Sequence, residues 1–204
     1  MVVLGFDDGP FARDHRGQVL LVGVVCSRTR VDGVVAGRIR RDGSDATREM
    51  VRVVRESQFG KSLRAVLLQG IAVGGFNVVD VHGLHEALGV PVMVVTRRSP
   101  DMAAVERALF SRDPRGRPAV AGAARKWALI KRAGEVERLA PSTRADKRGD
   151  APVPKLWVQR AGLSPSEARQ IVLATTLHGN LPEPLRIAHL VAGGVTTGKS
   201  RGRA

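Results

Sequence analysis

Residues 18–26 read QVLLVGVVC, a nearly continuous apolar run that is typical of a strand buried on both faces of a sheet. A first strand is predicted before this run, at residues 2–6, and a third after it, at residues 31–40. The turn residues Asp-Asp-Gly-Pro at 7–10 and Asp-Gly at 42–43 end the outer two strands. Because the connections are short, the three strands are expected to form an antiparallel meander.

The hydrophobic period changes from strand-like to helical after residue 43. Ala46, Met50, Val53 and Val54 have helical spacing, and Ser44 is a plausible N-cap for a helix over residues 44–57. Further elements are then predicted in alternation: a strand at 64–69, a helix at 77–88, a strand at 90–96 and a helix at 99–109. Three antiparallel strands followed by alternating helices and strands predict a mixed sheet that is covered on both faces, in the order of a ribonuclease H-like fold.

The second half of the chain carries fewer signals. Short apolar runs at 127–131 and 155–159 suggest a pair of strands, with a charged mobile loop at 143–150 between them. Ser164 and Glu167 form a capping box that starts a helix to about residue 177, and a last helix is predicted at 184–191. We expect a single domain over residues 1–195 and a flexible basic tail over residues 196–204.

Composition narrows the class of protein. The chain has 204 residues, 43% of them hydrophobic, and a net charge of +14. That charge favours a nucleic-acid partner, although an arginine-rich solubilising surface is the alternative. A single cysteine excludes an internal disulfide, and no apolar run approaches the ~18 residues of a membrane-spanning helix, so we expect a cytoplasmic protein without a membrane partner. An aromatic content of 3% argues against a base-stacking platform.

Acidic residues at two element ends are the candidate metal ligands. Asp7 and Asp8 end the first strand, where carboxylates can hold Mg²⁺, but successive strand residues point to opposite faces, so only one of the pair can face a given site. Asp45 and Glu49 lie four residues apart on one face of the first predicted helix. For these two, favourable charge at a helix N-terminus is the alternative interpretation.

Three further patterns do not favour a functional site. Residues 193–200 read GGVTTGKS, a formal P-loop pattern, but a predicted helix rather than a strand precedes it. His82 and His85 share a helix without a third metal ligand nearby. His178 and His189 are interpreted as structural, unless the last helix faces the site.

Several stretches resemble a known family. LPEPLRIAHL at 181–190 resembles the C-terminal signature of endonuclease V, and GLSPSEA at 162–168 resembles the segment before it. FDDGPF at 6–11, DGSDAT at 42–47 and GGFNVVD at 74–80 are more similar to the archaeal domain-of-unknown-function family ninety-nine, which is regarded as an endonuclease V relative. The resemblance covers nearly the whole chain and is weakest over residues 112–150.

The resemblance implies a ribonuclease H-like fold and Mg²⁺-dependent hydrolysis of a phosphodiester near deaminated bases. The first-strand aspartate of endonuclease V matches Asp7, and its glutamate falls near Asp45 or Glu49. Its second aspartate matches Gln69, a neutral residue and a weaker ligand for a hard cation. Asp8 or Asp80 would then be the substitute ligand.

The family's lysine after the next strand is also absent, and Thr96-Arg97-Arg98 stands in its place. The residues expected to contact nucleic acid are Arg97, Arg98, Arg186 and Asn77.

Three functions are therefore open. The first is a metal-dependent nuclease on DNA or RNA in which Asp7, with Asp45 or Glu49, is catalytic. The second is a nucleic-acid-binding module that has lost cleavage, which the neutral Gln69 favours. The third is a protein-interaction subunit whose charge serves only solvation. The oligomeric state is left open.

Overall fold

The computed structural model describes residues 1–139 and 155–201, and within them a seven-stranded sheet forms the centre of the molecule. The strand order is β3-β2-β1-β4-β7-β9-β8. These strands are β1 (Val2–Asp8), β2 (Gln18–Ser27), β3 (Arg30–Arg40), β4 (Leu63–Gln69), β7 (Val92–Thr96), β8 (Glu137–Arg138) and β9 (Trp157–Ala161). A separate hairpin consists of β5 (Ala72–Val73) and β6 (Asn77–Val78).

The sheet is mixed, as the sequence predicts. The first three strands form an antiparallel meander, β1 then pairs in parallel with β4, and β4 in parallel with β7. On the far side, β9 runs antiparallel to both β7 and β8. The carboxyl ends of β1, β4 and β7 therefore meet at one edge of the sheet.

Helices cover both faces of this sheet. They are α1 (Ala46–Glu56), α2 (Val81–Leu88), α3 (Met102–Leu109), α4 (Ala123–Arg132), α5 (Pro165–Thr175) and α6 (Glu183–Thr197). Side chains alternate along β1, so Leu4 and Phe6 pack with α1 and α2 whereas Val3 packs with α5 and α6. No helix within the described ranges is long and apolar enough to cross a bilayer.

Helix α6 approaches β1 unusually closely. A Cβ atom on Gly5 would lie 2.6 Å from the carbonyl carbon of Pro184 and 2.7 Å from the backbone nitrogen of Leu185. Only a residue without a side chain fits there. This contact fixes the start of α6 directly on the first strand.

Two predicted helix starts are wrong by a few residues. Asp45, not Ser44, occupies the N-cap of α1, and its side chain makes no capping hydrogen bond. Helix α2 begins at Val81 rather than at residue 77, with Asp80 as its N-cap accepting from the Gly83 N–H at 3.0 Å. The reason is that Asn77 belongs to the β5–β6 hairpin.

The predicted strand at residues 127–131 is also wrong, because this stretch lies inside α4. Trp127 and Ile130 are three residues apart and pack together in a small apolar cluster. A short apolar run of this kind does not show from its sequence whether it forms a helix or a strand. The other strand of that pair is confirmed as β9, and Ser164 forms the predicted capping box of α5. The loop predicted at 143–150 lies outside the described residues.

The last helix is longer than predicted. It continues past residue 191 to Thr197 and ends at Gly198, which takes the left-handed conformation with φ 72°. Part of the stretch expected to be a flexible tail is therefore helical, which brings the residues after it to a defined place.

Candidate active site

The functional residues converge where the carboxyl ends of β1 and β4 meet. Asp7 and Asp8 end β1, Gln69 ends β4, and the parallel pairing of Phe6 with Leu68 sets them side by side. A cleft of about 1080 Å³ opens at this edge. The residues lining it are Asp7, Asp8, Gly9, Pro10, Gln69, Arg97, His189, Gly193, Thr197, Lys199, Ser200 and Arg201.

Asp7 and His189 form the central pair of the cleft. The Asp7 Oδ2 atom lies 2.9 Å from His189 Nδ1, with the Asp7 side chain 8% exposed and the His189 side chain 47% exposed. Burial raises the pKa of Asp7 above its ordinary value, and the hydrogen bond with His189 opposes that rise. A buried carboxylate thus orients a half-exposed imidazole toward the cleft.

The sequence does not show whether His189 faces the site, and the packing of α6 determines its position. Leu185 and Ala188 are fully buried against the sheet, and His189 follows Leu185 by four residues on the same side of the helix. The spacing Leu-x-x-Ala-His was the available signal, but it gives no partner strand.

Asp8 points to the other side of β1, as strand alternation requires. Burial raises its pKa to about 6, and the neighbouring charge of Asp7 adds to the rise, whereas a backbone hydrogen bond from Gly74 lowers it. Both carboxylates nevertheless line the same cleft, because they stand at the very end of the strand.

Gln69 carries an unsatisfied acceptor. Its Oε1 atom is buried and accepts no hydrogen bond from any part of the chain that the structure describes. A buried acceptor without a donor costs about 1–3 kcal/mol unless a ligand satisfies it. Together with Asp7 and Asp8, it lines the cleft with two carboxylates and one amide oxygen, which are the hard oxygen donors that Mg²⁺ prefers.

Asp45 and Asn77 hold backbone together away from the cleft. Asn77 is fully buried: its Oδ1 accepts from the Ala46 N–H at 3.1 Å, and its Nδ2 donates to Arg40 O at 2.9 Å and to Asp45 Oδ1 at 2.6 Å. Asp45 also accepts from the Arg40 N–H at 3.2 Å. These contacts tie the end of β3 and the start of α1 to the β5–β6 hairpin, and they leave Asn77 inaccessible to nucleic acid.

Glu49 and Asp80 also have protein partners outside the cleft. Glu49 accepts from the Arg38 N–H at 3.1 Å and pairs with Arg52 at 2.7 Å, which holds the pKa of its carboxyl below the ordinary value. Asp80 caps α2 and pairs with Arg132 at 3.1 Å. In residues 1–139 and 155–201, no three His, Cys, Asp or Glu side chains form a group that could hold a metal ion. The structure therefore does not bring Asp45, Glu49 or Asp80 together with Asp7.

Comparison with known proteins identifies the family. The family model described as Endonuclease dU matches residues 1–196. The chain belongs to the endonuclease dU family. A relative from Deinococcus radiodurans, described as a UPF0215 protein, is 46% identical over 200 residues, covering 98% of this chain and 91% of the relative.

Solved structures share the fold of this chain. A crystal structure of a protein of unknown function from Archaeoglobus fulgidus is 33% identical with a TM-score of 0.80, covering 96% of this chain and 98% of that one. Endonuclease V from Bacillus subtilis has a TM-score of 0.56 at 12% identity, covering 94% of this chain and 78% of that one. Endonuclease V from Ciona intestinalis, in complex with a 23mer DNA containing an inosine followed by a ribo-adenosine, has a TM-score of 0.53 at 13% identity, covering 92% and 81%.

These likenesses confirm the predicted ribonuclease H-like, endonuclease V-like fold. They also confirm the predicted relation to an uncharacterised endonuclease V-like family, whereas the label of family ninety-nine is not confirmed.

The residues of this endonuclease dU family member that are predicted to contact nucleic acid differ in where they lie relative to the cleft. Arg97 lines the cleft, and Arg98 is exposed just after it. Arg186 pairs with the buried Glu183 in the first turns of α6, and the Arg186 side chain is 23% exposed. Lys199 and Arg201 also line the cleft, although the sequence predicts only a flexible basic tail there and carries no signal that places them at a site.

Proposed function

We propose that this protein is an endonuclease that hydrolyses a phosphodiester bond of DNA beside a deaminated base, with deoxyuridine as the first candidate. The observation that carries the proposal is the pair formed by the buried Asp7 and the half-exposed His189, which lines one cleft with Asp8 and Gln69, whose buried amide oxygen is unsatisfied. Membership of a family described as Endonuclease dU supports the substrate, and the DNA complex of Ciona endonuclease V supports DNA as the partner.

The histidine carries the proton in this proposal. When Nδ1–H donates to the Asp7 carboxylate, the neutral ring presents its Nε2 lone pair to the cleft. Nε2 then takes a proton from the water that attacks phosphorus, and Asp7 stabilises the imidazolium that forms. The P–O bond to the leaving sugar oxygen breaks, that oxygen takes a proton from solvent, and the imidazolium loses its proton to solvent before the next turnover. Burial of Asp7 keeps this orientation fixed through the step.

Asp7, Asp8 and Gln69 would hold the cofactor. When bound, Mg²⁺ supplies electrostatic stabilisation of the charge that develops on the phosphoryl oxygens. Arg97 holds a neighbouring phosphate at the rim of the same cleft. The described residues offer oxygen donors for one such ion rather than two, because Asp45, Glu49 and Asp80 are engaged elsewhere.

The test is cleavage of end-labelled DNA strands that contain a single deoxyuridine, a single deoxyinosine or no modified base, with Mg²⁺, with Mn²⁺ or with EDTA. We expect metal-dependent cutting at the modified base. His189→Ala is expected to slow single-turnover cleavage by about a hundredfold or more, and Asp7→Asn to abolish it. Thermal unfolding of each variant separates lost chemistry from lost folding.

Glu49→Gln is the matched control, since it also neutralises one carboxylate but lies outside the cleft. We expect it to cut at the wild-type rate. Equal loss in Glu49→Gln and Asp7→Asn would contradict the assignment of the chemistry to the cleft and restore Glu49 as a catalytic candidate.

Binding without cleavage is the second candidate function, and Gln69 favours it. This neutral side chain stands at the strand end where endonuclease V resemblance leads us to expect a carboxylate, so the cation would be held more weakly. Salt-sensitive DNA binding without cutting, on all three strands and with either metal, would establish this candidate in place of the nuclease.

A further inference from the structure

A short basic segment folds back beside the cleft after α6 ends. We call Lys199, Ser200 and Arg201 the C-terminal arm. The left-handed Gly198 turns the chain, its N–H bonds to Gly194 O at 2.9 Å, and the Thr197 hydroxyl donates to Lys199 O at 2.7 Å. These contacts give the arm a defined path.

The arm is seated on the helix that precedes it. A Cβ atom on Gly193 would lie 2.8 Å from the Ser200 hydroxyl oxygen and 3.2 Å from Ser200 Cβ. Ser200 thus packs into the space left by a residue without a side chain, and Lys199 and Arg201 flank it along the cleft wall.

The charges of the arm are available for a ligand. Among the described residues, neither Lys199 nor Arg201 forms an ion pair with a carboxylate. Helix α6 packs on β1 and β2, whereas Arg97 follows β7, and β4 separates β1 from β7 in the sheet. Lys199 and Arg201 therefore line the same cleft as Asp7 and Gln69, and Arg97 lines it too.

We propose that the C-terminal arm is a phosphate-binding element that positions the DNA backbone over the Asp7–His189 pair. The proposal rests on the proposed function for the identity of the polyanion. Two cations beside the acidic residues Asp7 and Asp8 suit a phosphodiester chain, because its phosphate charges are spaced along the strand. The cations would contact neighbouring phosphates while the scissile phosphate lies over the acidic residues. Lys199 and Arg201 are positioning residues, since they border rather than form the reacting centre.

The simplest alternative role of the arm is to complement the negative C-terminal end of the α6 dipole. In that role the two charges would affect folding and leave the salt dependence of DNA binding unchanged. The slope of log Kd against log salt counts phosphate contacts, so it separates the two roles.

The experiment measures fluorescence anisotropy of a labelled DNA strand with the full chain in EDTA, from about 50 to about 200 mM KCl. Lys199→Ala/Arg201→Ala is expected to weaken binding about tenfold and to lower the salt slope by about one to two. Lys199→Arg/Arg201→Lys, which keeps both charges, is expected to bind as the wild type does.

Lys61→Ala/Arg64→Ala is the matched control, because it removes two exposed charges near the start of β4, at the opposite end of that strand from Gln69. An unchanged slope in the arm variant, or the same loss in both double variants, would overturn the proposal. Cleavage is measured separately. DNA binding that depends on the arm, without any cleavage, would refute only the proposed nuclease function. Cleavage that does not depend on the arm would refute only the proposed role of the arm.

Discussion

Gln69 lies beside Asp7 at the edge of the sheet, and its buried amide oxygen has no donor in the described chain. A carboxylate at this position would complete a stronger ligand set, because affinity for a hard divalent cation rises with the number of charged oxygen ligands. The side chain at position 69 therefore determines whether the cleft binds a divalent cation weakly or strongly.

Gln69→Asp is expected to tighten Mn²⁺ binding about tenfold, or roughly 1.4 kcal/mol, measured by isothermal titration calorimetry. Gln69→Leu, which offers no oxygen, is expected to weaken it. Gln18→Asp adds the same charge at an exposed position at the start of β2 and should leave binding as it is. If Gln69→Leu binds Mn²⁺ as tightly as the wild type, the oxygen set of this cleft is not the cation site.

At the residue scale the sequence located part of the site. A carboxylate at a strand end is visible as a polar pair after an apolar run, so Asp7 and Asp8 could be proposed directly. Asp45 and Glu49 gave the same kind of signal, and only their hydrogen bonds to Asn77, Arg38 and Arg40 distinguish them. A carboxylate that accepts a hydrogen bond from a backbone N–H and a carboxylate that lines a cleft cannot be told apart by their sequence pattern.

At the scale of elements, Asn77 joins three segments through its side chain. Its side chain reaches the end of β3, the start of α1 and Asp45, all from inside the β5–β6 hairpin. Buried polar networks of this kind are stabilising only when every member is satisfied.

Asn77→Ala is expected to lower the free energy of unfolding by about 2–4 kcal/mol, because it leaves the Ala46 N–H, the Arg40 carbonyl and Asp45 without their partner. Urea titration followed by circular dichroism measures it. Asn180→Ala, at an exposed position before α6, should change the value by no more than about 0.5 kcal/mol. Equal effects in the two variants would show that the Asn77 network adds little.

The start of α2 illustrates why element boundaries were misplaced. Asn77 and Asp80 have the spacing of a cap and its third residue, so the local pattern predicts a helix from residue 77. The side chain of Asn77 is used across the chain instead, and Gly74 and Gly75, with φ of 56° and 83°, turn the backbone into a hairpin. Tertiary hydrogen bonds overrode a local capping signal.

At the scale of the whole molecule, the site depends on how α6 lies across the sheet. Asp7 and His189 are 182 residues apart in the chain, and they meet because Gly5 admits the backbone of Pro184 and Leu185. The position of α6 is therefore set two residues before Asp7 on the same strand.

Gly5→Ala is expected to displace α6 from β1, because the added Cβ atom meets backbone rather than a flexible side chain. We expect a loss of about 1–3 kcal/mol in the free energy of unfolding and a loss of cleavage out of proportion to it. Gly194→Ala, at a helical site where a Cβ atom meets nothing within 4 Å, should be neutral or stabilising. A fully active Gly5→Ala protein would show that this contact does not position His189.

The sequence by itself determined the strand meander, the alternation that follows it and the carboxylates at the end of β1, because hydrophobic period and turn residues act over a few neighbouring positions. Only the tertiary structure decided which acidic residues share a cleft, that His189 faces Asp7, and that Lys199 and Arg201 border the site. The physical reason is that these contacts follow from the close packing of α6 on β1, which depends on the fit of two distant surfaces rather than on any local preference.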